Sequence, residues 1–269
     1  MNKSLDDIVR ALEPWRQLNK RVAYKPIARS TEDNHFPEAR FGGKPTLLPD
    51  EDLPSCLRCG EPLTLLLQLD MESLPDEASR REACLLQVMY CTREGKGESG
   101  YCAARQPFSP CHKVRVIEHS NQFGWHQGFP KRCFPTRRIV GWEPVDDFPN
   151  DMEHKRLGLR YTYQALSSGT DVQWDEGGVH AFMPDDDIDD DCDVSQTISD
   201  SLRCDKFFGW PYWGEDVAYP SCPECKVEME HFFQIDSEDN IPIMFGDNGI
   251  AHVFRCRAHP LQFAFSWEG

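Results

Sequence analysis

The chain has 269 residues, a length that fits one large domain or two fused halves. Its 39% hydrophobic content, with 16 Phe and 7 Trp, supplies a core and excludes a wholly disordered chain. A formal net charge of -16 sets the surface against polyanions, so the expected partner is a basic protein, with no nucleic acid and no membrane.

The first expected element is a helix over the first eighteen residues. Ser4 caps it, Asp6 and Asp7 suit the positive end of its dipole, and Leu5, Ile8, Leu12 and Trp15 share one face. This segment carries no apolar core or small-residue cleavage site of an export signal. No run approaches the ~20 apolar residues that span a bilayer. The expected location is therefore cytoplasmic. There, the 12 cysteines call for metal rather than a disulfide framework.

The next segment, Phe41–Asp70, matters most because it recurs. Set over Phe207–Asp236 at an offset of 166, it aligns without a gap. Identities fall at Phe41/Phe207, Gly43/Gly209, Pro45/Pro211, Asp50/Asp216, Pro54/Pro220, Ser55/Ser221, Cys56/Cys222, Cys59/Cys225, Gln68/Gln234 and Asp70/Asp236. Each copy reads as a Gly-Pro turn, a Cys-x-x-Cys knuckle, a strand closing in Gln-x-Asp, a loop, and a second strand ending in Cys. Those second strands are Leu85–Tyr90 before Cys91 and Ile250–Arg255 before Cys256. Such a repeat predicts an internal duplication.

Between the copies, Arg137–Trp142 is expected as a strand and His154–Ala165 as a short helix or a strand. Phe182–Asp193 holds seven Asp in nine positions, which makes it a solvated loop. Its spacing does not fit a calcium-binding EF-hand. The expected fold class is thus α+β, mostly antiparallel β, with a zinc-ribbon-like hairpin in each half. A single compact body over 1–269 would comprise a first ribbon half (36–118), a middle region (119–200) and a second ribbon half (201–269).

Zinc takes four tetrahedral thiolate or imidazole ligands, and two Cys on a tight knuckle put both sulfurs on one ion. In the second half the ligands are Cys222, Cys225, Cys256 and His259. In the first half they are Cys56, Cys59 and Cys91. The fourth is Cys102, carried by a Gly-rich loop, with Cys111 (followed by His112) as the alternative. The cofactor is therefore Zn2+ at two structural sites. Cys84, Cys111, Cys133, Cys192 and Cys204 are left as ordinary thiols. No HExxH, GxSxG, P-loop or GxGxxG is present, and four protein ligands leave no open metal position, so no residue is assigned as catalytic. Gln68 and Gln234 are expected to hydrogen-bond neighbouring loops. Asp236 with Asp247 is the one carboxylate pair with a catalytic reading. Trp210, Tyr212 and Trp213 form a turn-like aromatic stretch that either meets a partner or caps the core.

Phe41–Pro45, Leu67–Asp70, Arg137–Trp142, Asp205–Trp213, Tyr219–Cys225, Phe233–Asp236, Met244–Gly249 and Phe254–Trp267 together resemble the YwqG-like family of uncharacterised bacterial proteins. The resemblance covers residues 22–269. Phe208 departs from it by standing where that family has a glycine, and Phe245 by standing where it has Trp. The first half, with its Cys-x-x-Cys, LLLQ, LLQVMYC and CHKVRVI, is similar to the zinc-ribbon modules of the programmed cell death protein 2 family. Members of that family chaperone a basic ribosomal protein. The two likenesses imply fold and metal more than reaction. The expected function is a zinc-binding, non-catalytic protein-interaction module for a basic client, either chaperone-like or a toxin-neutralising immunity protein. The alternative is a hydrolase with an acidic site between the halves.

Overall fold

The computed structural model describes residues 5–32, 38–76, 84–93, 102, 104–118, 133–159, 163–166, 171–175, 178–184 and 201–269. Ser4, the glycine-rich loop from Glu94 to Tyr101, Cys192 and the acidic run from Asp185 onward lie outside the described residues. In chain order the elements are α1 (Leu5–Asn19), β1 (Arg21–Ser30), β2 (Arg40–Phe41), β3 (Thr64–Asp70), β4 (Cys84–Tyr90), β5 (His112–Glu118), β6 (Arg137–Asp147), α2 (Asp151–His154), β7 (Tyr163–Leu166), β8 (Asp171–Asp175), β9 (Gly178–Pro184), β10 (Lys206–Phe208), β11 (Glu230–Asp236), β12 (Ile250–Arg255) and β13 (Phe263–Glu268). The fold is mostly antiparallel β, as expected, and the expected strands at 85–90, 137–142 and 250–255 are present. The segment 154–165 is divided between the end of α2 and the start of β7.

The chain forms two compact units. The larger comprises residues 24–144, 204–208 and 218–269, and the smaller 1–23, 145–203 and 209–217.

The larger unit is built on a ten-stranded sheet in the order β13-β12-β11-β10-β1-β6-β2-β3-β4-β5. Read inward from either edge, β13 matches β5, β12 matches β4, β11 matches β3 and β10 matches β2. The two edges approach each other and nearly close the sheet. Tyr90 and His112 put ring edges on Phe265 at 6.0 and 5.1 Å, and Trp267 N–H donates to Arg105 C=O at 3.2 Å.

Side chains alternate across a strand, so each strand divides its residues between two faces. One face carries Phe41, Leu67, Leu69, Leu86, Val88, Phe207, Phe233, Ile235, Val253 and Phe265, which form the core. These residues are 0% exposed, and burying a chain of that size contributes about 1.5–3 kcal/mol each.

The other face carries two buried polar rows that no sequence periodicity reveals. Register sets Arg40, Gln68, Gln87 and Arg115 side by side. It sets Lys206, Gln234, His252 and Ser266 side by side in the other half. Polar groups out of water need partners. In the first row Gln87 Nε2 donates to Gln68 Oε1 at 2.7 Å, Arg115 Nε donates to Gln87 Oε1 at 2.8 Å, and Arg40 donates to Gln68 Oε1 at 3.4 Å. The segment before the first knuckle closes over this row. Lys44 C=O accepts from Arg40 at 2.6 Å, Thr46 C=O accepts from Gln87 at 2.8 Å, and the Glu51 carboxylate pairs with Arg115. The two glutamines also brace the chain before their copy, as expected of them. Gln68 Nε2 donates to Glu38 C=O at 3.0 Å, and Gln234 Nε2 to Cys204 C=O at 2.9 Å.

The smaller unit holds α1, α2 and a second sheet in the order β7-β9-β8. Leu12 of α1 is fully buried. Trp15 sets its ring edge on His154 at 5.0 Å and donates Nε1–H to Leu157 C=O at 3.3 Å. Trp210 and Trp213 also belong here. They are only 5% and 3% exposed, which favours the core-capping alternative for these two rings. Trp210 Nε1–H donates to Asn19 C=O and Trp213 Nε1–H to Glu153, both at 2.7 Å. Arg21 covers the face of Trp210 at 3.3 Å, and half-buried Tyr212 lies 5.7 Å from the Arg203 guanidinium.

Candidate metal centres

Each Cys-x-x-Cys knuckle is shaped by the same backbone bonds. In the first, Cys56 N–H donates to Glu61 C=O, Gly60 N–H to Cys56 C=O and Leu63 N–H to Pro54 C=O, all at 2.8 Å. In the second, Cys222 N–H donates to Val227 C=O, Lys226 N–H to Cys222 C=O and Met229 N–H to Pro220 C=O, at 2.8, 2.9 and 2.8 Å. Every one of these bonds recurs 166 residues on. Gly60 and Lys226 both take a left-handed backbone at φ 74° and 62° to close the turn. The strands behind the knuckles carry matching irregularities between Leu65 and Leu67 and between His231 and Phe233.

The turns bring together the side chains that the spacing selected. Cys56, Cys59, Cys91 and Cys102 form one group, and Cys222, Cys225, Cys256 and His259 the other. Within each, every donor atom lies within 4.8 Å of the rest. Cys59 and Cys91 are 3.6 Å apart at sulfur, and so are Cys225 and Cys256. His259 Nδ1 lies 3.6 Å from the sulfurs of both Cys222 and Cys256. These are not disulfides, whose sulfurs sit ~2.05 Å apart. A tetrahedral zinc with Zn–S near ~2.3 Å and Zn–N near ~2.0 Å has sulfur–sulfur edges of roughly 3.8 Å and sulfur–nitrogen edges of roughly 3.5 Å. Both groups fit such an ion. Cys102 is the cysteine that joins the first group. Cys111 stands beside Cys56, outside it.

The charge state suits a cation. Burial opposes ionisation of Cys59, but the Glu61 amide and the thiols of Cys102, Cys56 and Cys91 outweigh it and bring the thiol down to about 7. Burial likewise opposes ionisation of Cys222, and the Cys225 and Glu224 amides, with Cys256 and His259, bring it to about 6. Burial pushes Cys91, Cys102 and Cys256 upward, and neighbouring sulfurs add to it. Thiolates crowded this closely repel one another, and a cation among them offsets that repulsion.

A supporting residue escaped the sequence. Glu224, inside the second knuckle, holds one carboxylate oxygen 3.3 Å from His259 Nε2 and accepts from Gln262 Nε2 at 2.6 Å on the other. A carboxylate on the far ring nitrogen leaves Nδ1 as the ligand and fixes the ring. Its position between two knuckle cysteines was the available signal. The Asp236–Asp247 pair gains nothing comparable. Asp236 is 8% exposed and accepts from Ser237 N–H at 2.9 Å, whereas Asp247 lies on the surface.

A mostly antiparallel β body thus carries two four-donor groups that could hold a metal ion. The chain belongs to the family described as Domain of unknown function (DUF1963), whose model matches residues 39–260. That span contains all eight grouped ligands. No curated protein matches the chain.

Proposed function

We propose that this protein is a zinc-binding, non-catalytic protein-interaction module of the cytoplasm that captures a basic protein client. The observation that carries this reading is the closed character of the two groups. Each supplies four protein donors, so an ion bound there has no position for water or substrate. Zinc in such a site contributes folding energy, which short strands and knuckles use. The likeness of the first half to the ribbons of the programmed cell death protein 2 family supports the same role. The net charge of -16 supports a basic client, because opposite charge steers association and fixes register more than it adds raw affinity. The client is a chaperoned basic protein or a neutralised basic toxin.

Elemental analysis of protein purified without added metal tests the first part. Two zinc ions per chain that survive dialysis are expected, and a chain free of zinc would end the reading. Co-purification from native lysate tests the second. A basic protein should be recovered and should elute as salt is raised. Binding that ignores salt would remove the electrostatic argument and leave the zinc sites standing.

A further inference from the structure

A fifth cysteine stands at the edge of the first group and, among the described residues, has no counterpart at the second. Cys111 is 1% exposed, and its thiol stands near that of Cys56. The backbone fixes it there. Leu57 N–H donates to Pro110 C=O at 3.0 Å, and Cys91 N–H donates to Cys111 C=O at 3.0 Å. Cys111 is therefore tied to the chain at two other members of the group, beside Cys56 and at Cys91. Its own N–H donates to Ser109 Oγ at 3.2 Å, which closes the turn that presents it.

At the second group the bond that matches Cys91 to Cys111 runs from Cys256 N–H to Gln262 C=O, also at 3.0 Å. The same place in the fold thus holds a thiol in one half and an amide in the other. Gln262 directs that amide to Glu224 and supports His259 through it. Among the described residues the first group shows no such support for its fourth ligand and has a further sulfur nearby instead.

We propose that Cys111 is a reserve ligand of the first metal group, able to take the place of Cys102, so that one ion can be held by Cys56, Cys59 and Cys91 with either fourth sulfur. The exchange is a ligand substitution. The incoming Cys111 sulfur gives up its proton as it binds the ion, and the departing Cys102 thiolate takes one up, so charge and protons balance. Three ligands stay in place while the fourth changes. The first group can therefore open on one side without losing its ion. The second group lacks this freedom, because among the described residues His259 has no substitute. The inference rests on the metal reading above, and its test separates the two.

The test compares zinc content and cobalt spectra of the parent chain with those of Cys102→Ser, Cys111→Ser and the double variant. Two ions in the parent establish the metal reading by themselves. The reserve role then predicts two ions in each single variant and one in the double. Cobalt-loaded Cys102→Ser should keep the charge-transfer intensity of four thiolates at the first group. Loss of the first-group ion from Cys102→Ser alone would overturn the proposal. So would a double variant that keeps both ions. Hydrogen-exchange protection of the β3–β5 amides in every variant shows that the first half has folded, so a misfolded first half is not mistaken for a missing ligand.

Discussion

At the scale of single residues, His112 shows how position sets acid sensitivity. The ring is buried against Phe265 and its Nδ1 lies 3.1 Å from Ala104 C=O. Burial brings it down to about 4, with the Ala104 carbonyl acting the other way. An unfolded histidine titrates near ~6.5, so between about pH 6.5 and 4 the unfolded chain binds the extra proton. The stability that neutral His112 contributes is thus complete above about pH 6.5 and falls as the medium acidifies toward about pH 4, by about 3 kcal/mol over the window. His112→Phe removes this term. Its urea midpoint should lie below that of the parent near neutral pH, and the gap should narrow as pH drops to about 5. A gap that stays constant would show that His112 does not titrate between the two states. Asp205 lies at the other extreme. It is 1% exposed and accepts from Asp236 N–H, Asn240 N–H and Asn240 Nδ2 at 2.7, 3.1 and 2.9 Å. Burial and the neighbouring Asp239 still push its carboxyl up to about 8. Asp205 therefore organises the 236–240 turn through hydrogen bonds.

At the scale of elements, the turns decide which sequence features were legible. The turn after β2 needs a left-handed residue. The first copy places Gly42 there at φ 60°, and the second places Phe208 at the same angle. A non-glycine residue so placed costs about 1 kcal/mol. Here the ring offsets this by stacking on Phe207 at 4.2 Å and meeting Phe232 at 5.9 Å. The departure visible in the sequence at Phe208 is therefore accommodated by packing. Gly42 cannot change in the same way, because an added Cβ would meet Pro135 C=O at 2.5 Å. Gly60, at φ 74° on the first knuckle, has open space where a Cβ would go. Gly42→Ala should lower stability by more than about 2 kcal/mol, and Gly60→Ala by only about 1 kcal/mol. Thermal or urea unfolding of the two variants checks the order, and equal losses would refute it. The knuckles were readable because all their geometry lies within a dozen residues. The polar rows were not, because Arg40, Gln68, Gln87 and Arg115 are brought side by side only by long-range register. The role of Trp210 and Trp213 stayed open for a related reason. A Gly- and Pro-flanked stretch looks like a surface turn, and only the indole hydrogen bonds to Asn19 and Glu153 show where the rings are used.

At the scale of the whole molecule, the sheet order adds what the sequence repeat leaves out. The offset of 166 predicted equivalent hairpins, and the sheet places them at its two ends. Chain composition could not foresee that β1 and β6 join those ends, since neither strand belongs to the repeat. Nor could it foresee that the smaller unit draws its residues from three separate stretches. Among the described residues no helix is long and apolar enough to cross a membrane.

The mirrored order of the large sheet also bears on how the chain assembles. Strands β3, β4 and β5 pair as consecutive neighbours, and so do β11, β12 and β13. Their contacts close short loops. The central pairings of β10 with β1, β1 with β6, and β6 with β2 join segments far apart along the chain and close long ones. Long loops cost more entropy and form more slowly. Pulse-labelled hydrogen exchange during refolding with zinc present should therefore protect the β3–β5 and β11–β13 amides first, and the β1 and β6 amides last. Simultaneous protection across all ten strands would contradict it. On this account the two ends of the sheet are made separately, and the middle is the seam that unites them.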